Sequence, residues 1–330
     1  MRLGVVAAAL IGLLGAAYLI FYIGFDAVLQ AVISVGWSGF ALLCLYGAAN
    51  FVLLGIAWLV IVPPFNWRNA ATFCWGRAVR DSAGEILPFS QVGGALIGVR
   101  ATILRGVAQG TAVASTVVDL TMEMIAQIVF TVAGLIILTM HLGANASLQP
   151  LLQTAIIGVI VAMLAAAAFF IVQRRGFPLL ERLAERFVPA AALHAAAVGQ
   201  AISRIHDAPW RMAASFAIHC IGWLSSAFGT WLALRLIATP ISFSDAVAIE
   251  SVLCAARSAA IFVPGAIGVQ EAGYAAMMPL FGLPPQIGLA ISLLKRAREI
   301  ALGVPILLGW QIAEGRHAVF AKTKTLAKSE

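Results

Sequence analysis

Seven carboxylates and six cations stand in stretches otherwise built from Ala, Leu, Ile, Val and Phe. The cations are Arg77, Arg80, Arg257, Lys295, Arg296 and Arg298; the anions are Asp81, Glu85, Asp119, Glu123, Glu250, Glu271 and Glu299. Their chemistry is ion pairing and the recognition of polar groups. An arginine presents a planar fork that grips a phosphate or carboxylate by two hydrogen bonds, which lysine cannot copy. Asp119, Glu123 and Gln127 recur every four residues and form one stripe on a helix. Lys295, Arg298 and Glu299 are expected to share a face of another helix, with Arg296 at its flank. Enzyme signatures are weak. His141, His194, His206, His219 and His317 lack metal-ligand spacing, and no nucleophile elbow or phosphate-binding loop occurs. No metal, no cofactor and no catalytic residue is expected. His219, inside an apolar run, reads as a hydrogen-bonded interior residue.

The chain that positions these charges belongs in a membrane. It is 62% hydrophobic and 11% charged, where soluble domains carry about 25% charged residues. A bilayer core about 30 Å thick needs roughly 20 apolar residues per helical crossing. Full crossings are expected at 3–25, 38–62, 110–140, 151–172, 209–237 and 286–312. The first is long enough to span, and no small-residue cleavage site follows it, so it does not read as a signal peptide. Cys44, Cys74, Cys220 and Cys254 have no CxxC spacing and read as free thiols.

Two further helices, 69–87 and 244–263, are broken. The first breaks at Pro88 with Gly93 and Gly94 after it, the second at Pro264-Gly265 with Gly268 after it. A short apolar return follows each. The flanking spacing also matches: Ser38 to Met140 is 102 residues and Pro209 to Ile312 is 103. Lys and Arg favour the cytoplasmic side. Arg2, Arg68, Arg100, Arg105, the 174–211 region and the tail would share that side, with Arg235 alone opposite. This pattern predicts an all-α integral membrane protein of about six crossings and two re-entrant broken pairs. The halves, about 38–140 and 209–312, form an inverted-topology repeat inside one domain, 1–330. An amphipathic surface helix is expected at about 178–206 and a basic cytoplasmic tail at 314–330. The net charge of +7 is then a topology signal and a contact for anionic lipid, not a nucleic-acid site.

A charge at mid-helix costs about 2.5–3.5 kcal/mol to insert, so the thirteen must face a polar interior and offset one another. Half-helices starting near Gly93-Gly94 and Gly265–Gly268 would aim free N–H groups at the midplane, where an anion is favoured.

At these motifs the sequence resembles the transmembrane region of the lysylphosphatidylglycerol synthase family. The marks are Leu87-Pro88 with Gly93-Gly94, the run Asp119-Leu120-Thr121-Met122-Glu123, and Val263-Pro264-Gly265-Ala266-Ile267-Gly268-Val269-Gln270-Glu271-Ala272. Arg296 and Arg298 fit as well. The overall pattern looks closest to the stand-alone subgroup associated with hopanoid biosynthesis. It departs where the family often has Glu-Arg at Asp119-Leu120 and Gly at Ala266. The resemblance implies a multi-pass protein of the bacterial inner membrane that moves a lipid, a hopanoid or an anionic phospholipid, between leaflets. Arg80, Asp119, Glu123, Arg257, Glu271, Arg296 and Arg298 would line the path. Two-domain members join such a region to a soluble aminoacyltransferase; this chain ends about 18 residues after its last expected span, so no transferase is expected. Two alternatives stay open: a membrane-embedded lipid-modifying enzyme using Asp119 or Glu123 as a base, and a non-transporting scaffold for lipid-biosynthetic enzymes. The oligomeric state is not legible. Cysteine accessibility tests the topology: cysteines placed at 174–186 should label from the cytoplasmic side, and periplasmic labelling there overturns it.

Overall fold

The structure is a computed structural model that describes residues 25–87, 90–142, 160, 189–239, 241–260 and 266–326. The expected crossings 3–25 and 151–172 lie outside it apart from Phe25 and Ile160, as do residues 174–186 and the break residues Pro88, Pro264 and Gly265. Every described element is helical. They are α1 (Phe25–Val60), α2 (Ala70–Ile86), α3 (Ser90–Ile103), α4 (Gln109–Leu142), α5 (Pro189–His206), α6 (Pro209–Leu236), α7 (Phe243–Ala259), α8 (Val269–Met277) and α9 (Pro285–Leu326). Short 3-10 turns at Trp67–Asn69 and Met278–Phe281 precede α2 and follow α8.

Local sequence explains the ends. Helix α1 bends at Gly36, whose φ of 72° is open to glycine at little cost. Helix α2 stops where Leu87 turns extended, ψ 148°, because a following proline disfavours helical geometry. Pro209 opens α6, where its missing N–H costs nothing. Ser242 and Asp245 cap α7 reciprocally, at 3.1 and 3.3 Å. One expectation is corrected. Gly93 and Gly94 lie inside α3, not ahead of it. Helix α9 runs on to Leu326, so most of the basic tail is helical.

Three helices are long and apolar enough to cross a membrane: Ile33–Val60, Gln109–His141 and Pro209–Leu236. Helix α9 is longer still, yet Lys295, Arg296, Arg298 and Glu299 interrupt its apolar run. Apolar side chains turned outward, such as Leu45, Leu96 and Ile136, suit a lipid solvent.

Helices α1 and α6 pack on each other. Helix α9 packs on α1 and α2, and α4 correspondingly on α6 and α7. The ends sort into two groups. Arg105 donates to the Ala71 carbonyl at 3.3 Å and stacks 5.0 Å from the Trp75 ring, joining the exit of α3 to the entry of α2. Arg100 meets Glu314 of α9 at 2.7 Å, and Arg211 at the start of α6 stacks on Phe65. These basic residues therefore share one end. At the opposite end His141 closes α4 against Asp245 at 3.5 Å and against the Phe281 ring, joining the start of α7 to the exit of α8. Arg235 lies there with Trp231. Exposed Trp67 and Trp210 mark the basic end and Trp37 the other, the usual place of interfacial aromatics.

Backbone meets backbone where the short helices α3 and α8 cross α2 and α9. A Cβ on Gly94 would lie 2.5 Å from the Arg80 carbonyl and 2.8 Å from Gly84 N. One on Gly288 would lie 2.5 Å from the Tyr274 carbonyl. Small residues at such crossings let helices pack where lipid gives no hydrophobic drive. Gly94→Val and Gly288→Val should each destabilise by about 1–3 kcal/mol, seen as a lower Tm in detergent. Gly315→Ala, with nothing within 4 Å, should leave Tm unchanged or slightly raised.

Candidate functional site

Three linked groups of charges fill the centre. The first joins α2, α4 and α6. Arg77 and Arg80 lie nearly one turn apart on α2, so both guanidiniums reach the same stripe of α4. Arg77 Nε donates to Asp81 Oδ2 at 2.7 Å, and its Nη2 to Glu123 Oε1 at 2.6 Å. Arg80 Nη1 donates to Asp119 Oδ2 at 2.7 Å, and Nη2 binds Glu123. His219 of α6 places Nε2 3.0 Å from Asp119 Oδ1. Trp223 Nε1 donates to the Glu123 carbonyl at 3.2 Å.

The second group joins α6, α7, α8 and α9. Glu250 accepts from Lys295 Nζ and Ser226 Oγ, both at 2.7 Å, from Thr230 Oγ1 at 2.6 Å and from Tyr274 OH at 2.5 Å. Lys295 also reaches Tyr274 OH at 2.6 Å. The site is saturated, as a buried ion pair requires.

The third group lies where the broken helices meet. Glu85, on the last turn of α2, takes Arg257 Nη2, on the last turn of α7, at 2.5 Å. Arg296 of α9 lies 3.7 Å from the second oxygen of Glu85. Arg296 also donates to Glu271 and Glu299, each at 3.2 Å. Glu271 accepts the Gly268 N–H at 2.7 Å and so closes the start of α8. Gln127 extends the α4 stripe to Ser258 at 2.6 Å and to the Cys254 carbonyl at 3.1 Å.

The expected residues therefore divide. Arg80, Asp119 and Glu123 come together in the first group, and Arg257, Glu271 and Arg296 in the third. Arg298 joins neither; its guanidinium lies 5.8 Å from the Tyr46 ring of α1. The expected shared face of α9 is thereby corrected: Lys295, Arg296 and Glu299 turn inward and Arg298 does not. At about 100° per residue these three span one arc, and Arg298 falls to its side. Asp119 and Glu123 are held by Arg77 and Arg80. Sequence reasoning left Arg77, Glu85, Glu250 and Lys295 out of the site although it counted their charges. Tyr274, Thr230 and Ser226 carried no signal beyond the four-residue spacing of the two hydroxyls on α6. Asp119 is the tenth residue after the start of α4, and Lys295 the tenth after the start of α9. Equivalent positions thus carry opposite charges.

Asp119 and Arg296 are fully buried. Asp81, Glu85, Glu123, Arg257 and Glu271 keep 20–22% of their side chains exposed. The interior of the network is closed, and these five form its accessible rim.

The family model for the lysylphosphatidylglycerol synthase TM region matches residues 5–309. The chain belongs to that family. As a member it is a membrane protein involved in lipid biosynthesis or transport. No curated protein and no solved structure matches the chain significantly. Family membership covers both broken pairs and all three charge groups.

Removing one partner of a buried pair leaves a charge without compensation, at about 3–5 kcal/mol. Lys295→Met should lose stability on that scale, and adding Glu250→Gln should restore more than half of it. Thermal unfolding of both single variants and the double in detergent reads this coupling; strictly additive losses would show that the pair is not coupled.

Proposed function

We propose that this protein moves an amphipathic lipid, a hopanoid or an anionic phospholipid, between the leaflets of the bacterial inner membrane. The observation that carries the reading is the charge network at the meeting of the two broken pairs, closed inside and accessible at its rim. The family's tie to membrane lipid supports it. In this reading α2–α3 and α7–α8 are re-entrant, one entering from each side, within inverted halves at about 38–140 and 209–312. Support comes from the shared end of α2 entry and α3 exit, the opposite shared end of α7 entry and α8 exit, and the matching neighbours of α4 and α9. With the basic end cytoplasmic, both termini are cytoplasmic and about six helices cross.

The rim gives a physical route. Arg257 is its one cation, held by Glu85 alone among the described carboxylates. A headgroup phosphate can compete with Glu85 for the Arg257 fork, while Arg296 stays 3.7 Å from the second Glu85 oxygen. The acyl or polycyclic body stays in lipid. Arg296, fully buried among three carboxylates, sets the position of the rim and does not meet the headgroup. No nucleotide-binding motif stands in the sequence, so movement runs downhill or on an ion gradient. An acid–base role for Asp119 or Glu123 is disfavoured, since both carboxylates are already held by two guanidiniums.

In proteoliposomes carrying a fluorescent phosphatidylglycerol, Arg257→Lys should slow leaflet exchange roughly tenfold, the scale of one lost charge-assisted hydrogen bond. Tm should hold. Exchange at the wild-type rate sinks the headgroup role of Arg257. Leaflet exchange no faster than in empty vesicles, for the wild type, sinks the transport reading itself.

A further inference from the structure

Arg298 stands at the middle of a membrane crossing with no anion beside it. In the apolar stretch Ile33–Val60 of α1, Tyr46 is thirteen residues from one end and fourteen from the other. At 1.5 Å per residue that is about 20 Å from either end. The Arg298 guanidinium lies 5.8 Å from the centroid of the Tyr46 ring and so shares its depth. Snorkelling serves arginines near helix ends and does not bring this one to water. The other interior cations, Arg77, Arg80, Arg257, Lys295 and Arg296, each have a carboxylate. The Arg298 guanidinium makes no ion pair and no hydrogen bond among the described residues. An aromatic face offsets only part of the cost of a cation at that depth.

The side chain is nonetheless held in place. A Cβ on Gly47 of α1 would lie 2.8 Å from Leu302 Cδ1 and 3.2 Å from Arg298 Cδ. The missing side chain lets α1 lie against the Arg298 stem. The Tyr46 hydroxyl donates to the Ser225 carbonyl of α6 and accepts from Ser225 Oγ at 3.2 Å. Its ring is seated on Gly229, where a Cβ would lie 2.6 Å from Cε1. Ring and stem are thus fixed by three helices, and the fork alone is left open. Arg298 is partly buried, and Ala301 and Pro305, one and two turns further along the same face, are exposed. The fork opens toward the apolar outer surface and not toward the charge network.

We propose that the cleft between α1 and α9 at Arg298 binds the phosphate of an anionic phospholipid, apart from the rim at Arg257. The guanidinium fork takes two phosphate oxygens, and the acyl chains lie in lipid beside Ala301 and Pro305. Arg298 has no carboxylate to give up, so the phosphate displaces no pair, whereas at Arg257 it must compete with Glu85. Asn50, one turn beyond Tyr46 on α1, has a buried Oδ1 without a protein partner among the described residues. It is an acceptor for a headgroup hydroxyl. The site separates the two lipid classes of the transport reading: a phosphate balances this cation, and an uncharged hopanoid does not. Its use as a station halfway between the leaflets rests on that reading; phosphate binding does not.

The test titrates purified full-length protein in lipid-free detergent with phosphatidylglycerol, followed by native mass spectrometry and Tm. Arg298→Gln should keep or raise Tm before lipid is added, because it removes an unpaired cation. It should bind the first phosphatidylglycerol about tenfold more weakly than the wild type. Arg298→Lys, which keeps the charge and loses the fork, should fall between. Diacylglycerol and inorganic phosphate should not reproduce the wild-type rise in Tm with phosphatidylglycerol. Equal binding by wild type and Arg298→Gln overturns the site. A lower Tm of both variants before lipid is added would reveal an internal partner and overturns it too. An equal rise with diacylglycerol overturns the role of the phosphate, and one with inorganic phosphate overturns the lipid as its source. In proteoliposomes with the fluorescent phosphatidylglycerol, Arg298→Gln should slow leaflet exchange severalfold, and an unchanged rate overturns the halfway station. Binding that depends on Arg298 in a wild-type protein that moves no lipid upholds the site and removes the transport reading instead.

Discussion

Glu85 is the point on which the two halves of the molecule depend. It sits on the last turn of α2, where the helix dipole already places partial negative charge. A carboxylate there, away from bulk water, cannot stand without cations. It receives Arg257 from α7 and Arg296 from α9. One residue of the first half is thereby bound to two helices of the second. Arg257 in turn lies on the last turn of its own helix, where a cation is favoured. The ends of the two broken helices attract through these side chains although their dipoles alone would repel.

The breaks and the charges are parts of one arrangement. A helix that starts or stops in a protein interior leaves backbone groups that need partners there. Where α8 begins, Glu271 takes the Gly268 N–H, then uses its other oxygen for Arg296. The carboxylate that closes the helix start also anchors the network. Close backbone approach at Gly94 and Gly288 brings the short helices near enough for such reach. A larger side chain would open the crossing and lengthen every ion pair beyond it.

Saturation of the interior narrows what the protein can do. Arg80, Asp119, Glu250, Lys295 and Arg296 already have internal partners, so a ligand meeting them would have to break buried pairs. Exchange of partners is left to the rim, where Arg257 and four carboxylates keep part of their side chains exposed.

The membrane environment, the long helices, the two breaks and the sorting of basic residues to one end were legible in the sequence. Each follows from local properties: apolar run length, the restriction a proline places on its predecessor, and the position of Lys and Arg between runs. Twelve of the thirteen charges counted in the sequence do pair with one another inside the described helices, because a charge in an apolar run needs a partner. Which pairs with which was not legible. Arg77 and Arg80 reach α4 and not α9, and Arg298 leaves the core for Tyr46. Those outcomes depend on the rotation of each helix about its axis, which residue spacing alone does not fix when apolar residues surround it. The contact of Glu85 with Arg257 spans 172 positions of chain, and only the packing of α2 against α9 and of α7 against α4 brings it about. His219 looked like an ordinary interior histidine in the sequence. The tertiary structure set its Nε2 3.0 Å from Asp119, a placement that depends on how α6 and α4 are rotated about their axes.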